Sequence, residues 1–217
     1  MRRELLQGSL IVTVALTAAR AWTYPDYART TKVACAGCHV NPAGGADLTD
    51  AGKLFKTDHA KVPKAVPGAA YAGIGRCKLC HARQYTSWQK TKHAQALANL
   101  KSADPKAVEA MAHALQVELE GPPAEAAQCV KCHVTGFELE GGYPAADSLR
   151  NAALENVTCE ACHGPGSKHA SAPLAEKKKL IHRGVTANTC MQCHTRQTSP
   201  KFKFEEYKKL GVHALRP

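Results

Sequence analysis

Every cysteine of this chain belongs to one repeated pattern. Ten cysteines form five Cys-x-x-Cys pairs, each followed at once by histidine: Cys35-Cys38-His39, Cys77-Cys80-His81, Cys129-Cys132-His133, Cys159-Cys162-His163 and Cys190-Cys193-His194. With eleven histidines in 217 residues, composition alone puts one after a given pair about one time in twenty. Two thiols three positions apart reach the two vinyl groups on one edge of a porphyrin and form thioethers. The adjacent imidazole then comes under the ring and binds the iron. Zinc would use such pairs two at a time without a histidine at one fixed place. A disulfide framework does not consist of five identical short motifs. The sequence therefore predicts five covalently bound haem c groups, with His39, His81, His133, His163 and His194 as proximal iron ligands.

This reading explains a composition that is thin in core material. Aromatic residues are 6% of the chain, while there are 16 glycines and 12 prolines, and no long strand-like apolar run occurs. Five flat hydrophobic macrocycles supply the interior instead. The expected fold class is mainly α with extensive loops and little sheet, with short helices packed around five covalent haems.

The N-terminal stretch MRRELLQGSLIVTVALTAARA has a basic start at Arg2 and Arg3, an apolar run over residues 5–19 and a small-x-small site at Ala19-Arg20-Ala21. It reads as a signal peptide over residues 1–21 that exports the chain to the periplasm. An uncleaved anchor is the rival reading, and Gln7, Gly8 and Ser9 interrupt the apolar run against it. Without this segment the formal charge falls from +11 to +9. Two propionates on each of five macrocycles, about ten negative charges, largely offset that excess. The basic balance thus gives no case for nucleic acid as a partner.

Six histidines remain for the opposite faces of the irons: His59, His93, His113, His169, His182 and His213. His163 and His169 are six positions apart, about 20 Å at full extension, and Gly164-Pro165-Gly166 lies between them. His169 therefore serves a neighbouring haem. His93 follows His81 by twelve positions across SWQKTKHAQALANL, which reads as a helix capped by Ser87 and carries His93 away from its own motif. The expectation is reciprocal: His93 for the haem of Cys159 and Cys162, and His169 for that of Cys77 and Cys80. The longer links from His39 to His59 and from His194 to His213 allow each to wrap its own haem. His133 is left with His113, His182 or an open sixth position. His113 falls in DPKAVEAMAHALQVELE, a predicted helix from near Pro105 to the Gly121-Pro122-Pro123 stop.

The composition changes at KVPKAVPGAA, which divides the chain into a one-haem module with its linker over residues 22–66 and a four-haem domain over residues 67–217.

Four segments, GRCKLCHARQYTSWQKTKHAQAL, CVKCHVTGFELEGGY, CEACHGPGSKHA and the terminal CMQCH with FKFEEYKKLGVHAL, resemble the tetrahaem cytochrome c-554 family of ammonia-oxidising bacteria in the same order. The likeness covers about residues 75–215 and extends past the haem motifs to Trp88, His93, Gly136-Phe137, Gly141-Gly142-Tyr143 and Gly164-Pro165-Gly166. The resemblance implies crossed distal ligands at His93 and His169, a C-terminal distal ligand at His213 on the last haem, and a five-coordinate haem at His133. It gives no support to the N-terminal module with Cys35, Cys38, His39 and His59, nor to the helix carrying His113.

Two functions follow as expectations. The first is a periplasmic electron relay between redox partner proteins, with a membrane involved only through a partner complex. The second is a haem enzyme reducing nitric oxide, nitrite or hydroxylamine at an open iron on His133, its pocket lined by Thr135, Phe137 and His113. The chain has no CxxCK motif of the kind that ammonia-forming haem nitrite reductases use. A haem-based gas sensor would need a signalling domain for which there is no room.

Overall fold

The computed structural model describes residues 27, 30, 31, 33, 35–40, 46–64, 70–210, 212 and 213. The expected signal segment 1–21, residues 41–45 and the expected linker residues 65–69 lie outside them.

The sequence spacing of each motif dictates a single helical turn. Residues i, i+3 and i+4 share one helix face, so one turn presents both thiols and the imidazole together. Short helices or their ends accordingly fall at the motifs: Cys35–Cys38, Ile74–Lys78, Ala127–Val130, Cys159–His163 and Ala187–Cys190. The turns close through the motif backbone, with His39 N–H donating to Cys35 O at 2.7 Å, His81 N–H to Cys77 O at 3.0 Å and His194 N–H to Cys190 O at 2.9 Å.

Among the described residues the fold is helical and looped, with isolated β-bridges (His39 with Leu48, Val134 with Glu155) in place of a sheet. The longest helix, Pro105–Leu115, starts as its sequence predicts: Pro105 stands in the first turn and the Asp104 carboxylate accepts from Lys106 N–H at 2.7 Å. It stops earlier than the glycine and prolines suggest. Gln116 turns left-handed at φ 55°, and the Gln116 and Val117 N–H groups close onto His113 O and Ala112 O.

The stretch expected as one helix from Ser87 is broken instead. A helix Ala82–Trp88 ends there, and the Thr91 hydroxyl donates to Trp88 O at 2.7 Å. The same Thr91 oxygen caps a 3₁₀ turn, Lys92–Gln95, which leads into the helix Ala96–Lys101. Thr91, not Ser87, is the cap, and His93 sits in the 3₁₀ turn.

The protein core is small, as the composition implied. Leu97, Leu100, Val130 and Val134 cluster with Ala124, Cys129, Phe137 and Tyr143 packed against them. One irregular segment knits this cluster to the fourth motif. Trp88 Nε1 donates to Val157 O at 3.0 Å and Val157 N–H to His93 O at 3.1 Å. Asn156, left-handed at φ 68°, accepts from Leu97 N–H through Oδ1 at 2.9 Å. That bond satisfies one of the orphan donors at the start of Ala96–Lys101.

Nearer the N-terminus, the helix Asp50–Thr57 packs on Cys35–Cys38 at Gly52, where a Cβ would overlap the Cys38 carbonyl. Thr49 accepts from Gly52 N–H at 3.1 Å and its own N–H donates to Cys38 O at 3.0 Å.

Candidate functional site

Three motif histidines and His169 are oriented from behind. His133 Nδ1 lies 2.7 Å from Ala96 O, and His163 Nδ1 lies 2.6 Å from His182 O. Nδ1 of His169 is 2.8 Å from Lys177 O, and that of His194 is 2.8 Å from Ser199 Oγ. A carbonyl only accepts, so in the first three rings Nδ1 carries the proton and Nε2 keeps its lone pair. Metal-binding histidines are fixed in this way, with the second ring nitrogen donating to a backbone carbonyl.

The rings also come in pairs. His81 faces His169 with ring centres 6.1 Å apart, His93 faces His194 at 6.0 Å, and His163 faces His213 at 6.0 Å. An imidazole nitrogen sits about 2 Å from a transition metal and about 1 Å from its own ring centre, so two imidazoles on opposite faces of one iron have centres about 6 Å apart. The observed spacing matches that separation, so these three pairs are the ones that would hold an iron between them. Burial holds the imidazoles of His93, His163 and His194 below the usual histidine range, with the neighbouring His194 adding to the effect at His93. Neutral imidazole is the ligating form.

The pairing of His81 with His169 is the one that chain reach assigned. The other two differ. His93 meets His194, not His163, and His213 meets His163, not His194. Chain length limited distance but not direction. The break at Thr91 lays the His93 backbone beside Val157, next to the fourth motif, while its ring reaches the fifth.

None of the ten cysteines forms a disulfide. No three His, Cys, Asp or Glu side chains converge as a metal cluster among the described residues. The neighbouring Cys159 thiol and burial raise the pKa of Cys77, and Cys77 lowers that of Cys159. Burial, reinforced by Cys190 and Cys159, pushes Cys162 up to about 12. The helix Ile74–Lys78 of the second motif packs against Cys159–His163 of the fourth, and His133 is tied to Ala96, beside the His93 turn.

Among the described residues no second imidazole faces His133. His113 is exposed on Pro105–Leu115, and His182 serves His163 instead: its carbonyl takes the His163 Nδ1 proton, and its N–H donates to His163 O at 3.2 Å. Thr135, expected to line a pocket at His133, is wholly buried in a structural network. Its hydroxyl donates to Asn156 O at 2.8 Å, accepts from Thr158 N–H at 3.0 Å and lies 2.9 Å from Thr158 Oγ1. Phe137 packs on the leucine–valine cluster. His59 packs its ring against Tyr27 and Phe55, each 5.0 Å away.

Several residues that position the site carried no sequence signal. Glu160, between the cysteines of the fourth motif, is 2% exposed and accepts from the backbone N–H groups of Ala72, Gly73 and Gly166. The Lys177 ammonium donates to His169 O at 3.0 Å and Ala170 O at 2.7 Å. Phe202 stacks on His194 at 4.7 Å and 14°. Only the third dimension brings these partners together.

Residues 76–164 match the family described as Cytochrome c554 and c-prime. Cytochrome c-554 of Nitrosomonas europaea is 36% identical over 98 residues, which is 45% of this chain and 40% of that protein. The chain therefore spans about two fifths of that relative's length in the match. The solved reduced state of cytochrome c554 from Nitrosomonas europaea superposes with a TM-score of 0.51 at 26% identity, covering 65% of this chain and 83% of the other.

Proposed function

We propose, from the premise that residues 76–164 belong to the cytochrome c554 family, that this chain is a c-type cytochrome carrying electrons between redox partner proteins. Five haem c groups are attached in this reading, one at each Cys-x-x-Cys-His motif. The segment 1–21 exports the chain to the periplasm, residues 22–66 form a one-haem module, and residues 67–217 form the four-haem body.

The observation that carries this reading is the set of three imidazole pairs at 6.0–6.1 Å. Iron held by imidazole on both faces supplies one-electron chemistry without taking a substrate. The chain's own work is to hold the imidazoles. The carbonyls of Lys177 and His182 and the hydroxyl of Ser199 fix one ring in each pair. The packing of Ile74–Lys78 against Cys159–His163 sets the second and fourth motifs side by side in the body. His59 is the proposed second ligand in the N-terminal module, within reach of His39 along the chain.

A second reading rests on His133, whose ring is fixed by Ala96 O and faces no other imidazole among the described residues. An accessible iron there would take a small nitrogen oxide, giving the relay a reductase activity at one end.

Haem content by pyridine haemochrome, mass of the intact chain and electron paramagnetic resonance of the oxidised protein test both readings. Five thioether-bound haems, most of them low-spin, are the expected result. A majority of high-spin irons would rule out the relay. Nitric oxide added to the reduced protein, or cyanide to the oxidised one, should perturb one haem at most. No spectral change would eliminate the reductase.

A further inference from the structure

Glu160 is a carboxylate in an expensive place. It is 2% exposed, it lies between the two cysteines of the fourth motif, and no lysine or arginine among the described residues forms an ion pair with it. An uncompensated buried charge costs several kcal/mol, so it persists only where hydrogen bonds replace its hydration. Those bonds are present. Oε1 accepts from Ala72 N–H at 2.7 Å and Gly166 N–H at 2.6 Å, and Oε2 accepts from Gly73 N–H at 2.8 Å. Three donors on two oxygens favour the ionised form. Burial raises the carboxyl pKa, and the three N–H bonds together with Arg150 offset part of that rise.

The position of this charge is specific. The Ala72–Gly73 segment that it grips leads into Ile74–Lys78, and so to Cys77. Gly166, which it also grips, precedes the helix Ser167–Ser171 that carries His169. The helix Ile74–Lys78, which carries Cys77, also packs against Cys159–His163 beside it. Glu160 therefore stands where the second and fourth motifs meet, and the other two motifs of the body have no contact with it through these bonds. The facing charged groups are Arg150, whose guanidinium donates to Tyr71 O and Gly141 O at 3.1 Å each, and the two thiols, which become neutral thioethers on attachment.

We propose that Glu160 is a potential-setting residue: its buried negative charge favours the ferric state at the Cys77/Cys80 and Cys159/Cys162 sites, making them the low-potential pair of the relay. This rests on haem attachment at those two motifs. A buried charge acts through low-dielectric protein, where it is little screened. It acts on the nearest irons most and leaves the Cys129/Cys132 and Cys35/Cys38 sites nearly unchanged. A glutamine amide keeps one acceptor oxygen for the Ala72 and Gly166 N–H groups but turns its NH2 toward Gly73 N–H. Removal of the Arg150 charge leaves all three bonds in place, and so separates a potential-setting charge from a purely structural clamp.

The test is a potentiometric titration of the holoprotein, wild type against Glu160→Gln, with haem content measured on the same samples. Two reduction steps should move upward. The expected size is about a tenfold change in the ferric to ferrous ratio at fixed potential, about 59 mV for a one-electron couple. The remaining steps should stay in place. Arg150→Gln removes the opposing cation and should move the same two steps downward, which also decides the matter if Glu160→Gln does not assemble. Unmoved steps, both variants shifting in one direction, or a shift of every haem would overturn the proposal. Wild-type protein with no thioether haem on these two peptides would overturn the relay reading itself, and this inference with it.

Discussion

His93 and His194 stand 6.0 Å apart with their ring planes crossed at 72°, whereas His81 and His169, at 6.1 Å, lie 16° from parallel. The two pairs therefore offer an iron different electronic surroundings at the same distance. Parallel imidazoles donate into the same iron d orbital and split it from its partner. Crossed imidazoles donate into both and leave them nearly degenerate. His163 and His213, at 30°, fall nearer the parallel case.

The oxidised protein should accordingly show one highly axial low-spin resonance beside more rhombic ones. His93→Ala should abolish the axial resonance and add a high-spin signal. If a rhombic signal disappears instead, His93 pairs with a motif other than the fifth.

How far these pairs were legible in the sequence depends on the residue. The Cys-x-x-Cys-His spacing alone dictates one helical turn with both thiols and the imidazole on one face, and the helices at the motifs have that form. His169 could be assigned because Gly164-Pro165-Gly166 leaves it too little chain to double back. His93 and His213 were exchanged because reach bounds distance and says nothing of direction, which Thr91 sets by ending one helix and capping the next turn. Glu160 and Lys177 were invisible for a different reason. Their partners are backbone N–H and C=O groups, which no residue type advertises.

The Thr135 hydroxyl is the centre of a buried network that joins Thr158 and Asn156, with residual exposure of 0% and 2% for the two threonines. Thr135→Val keeps the shape and leaves the Thr158 N–H and Asn156 C=O without their partner. A buried polar group left unsatisfied costs about 1–3 kcal/mol. For a chain of this size that lowers Tm by about 2–4 °C per kcal/mol. Far-UV circular dichroism on wild type and variant measures it. An unchanged Tm would mean that water reaches these groups.

Burial lowers the pKa of His93, His163, His182 and His194. Near and below the ordinary histidine value of about 6.5, the unfolded chain binds more protons at these sites than the folded one. Stability therefore rises with pH through that range and is lost as pH falls. Glu160, raised by burial, works in the opposite direction, as one group against four. Guanidinium midpoints taken between pH 4.5 and 8 should decline on the acid side, accompanied by low-spin to high-spin conversion. A midpoint that climbs as pH falls would contradict the burial of these rings.

Lys177 grips His169 twice, through its own carbonyl on Nδ1 and through its ammonium on the carbonyls of His169 and Ala170. Lys177→Met retains the first contact, which belongs to the backbone, and removes the second. The ammonium also satisfies two carbonyls at the end of Ser167–Ser171, a helix of one turn that has little else to hold it. A hydrogen bond to a charged group is worth about 1.5–3 kcal/mol, and partial exposure of Lys177 reduces that toward the lower end. The distal imidazole should then leave its iron about tenfold more often. Stopped-flow binding of added imidazole or cyanide to the oxidised protein reads this as a faster phase on one haem, with haem content unchanged. Equal rates in variant and wild type would show that the Nδ1 bond alone keeps His169 in place.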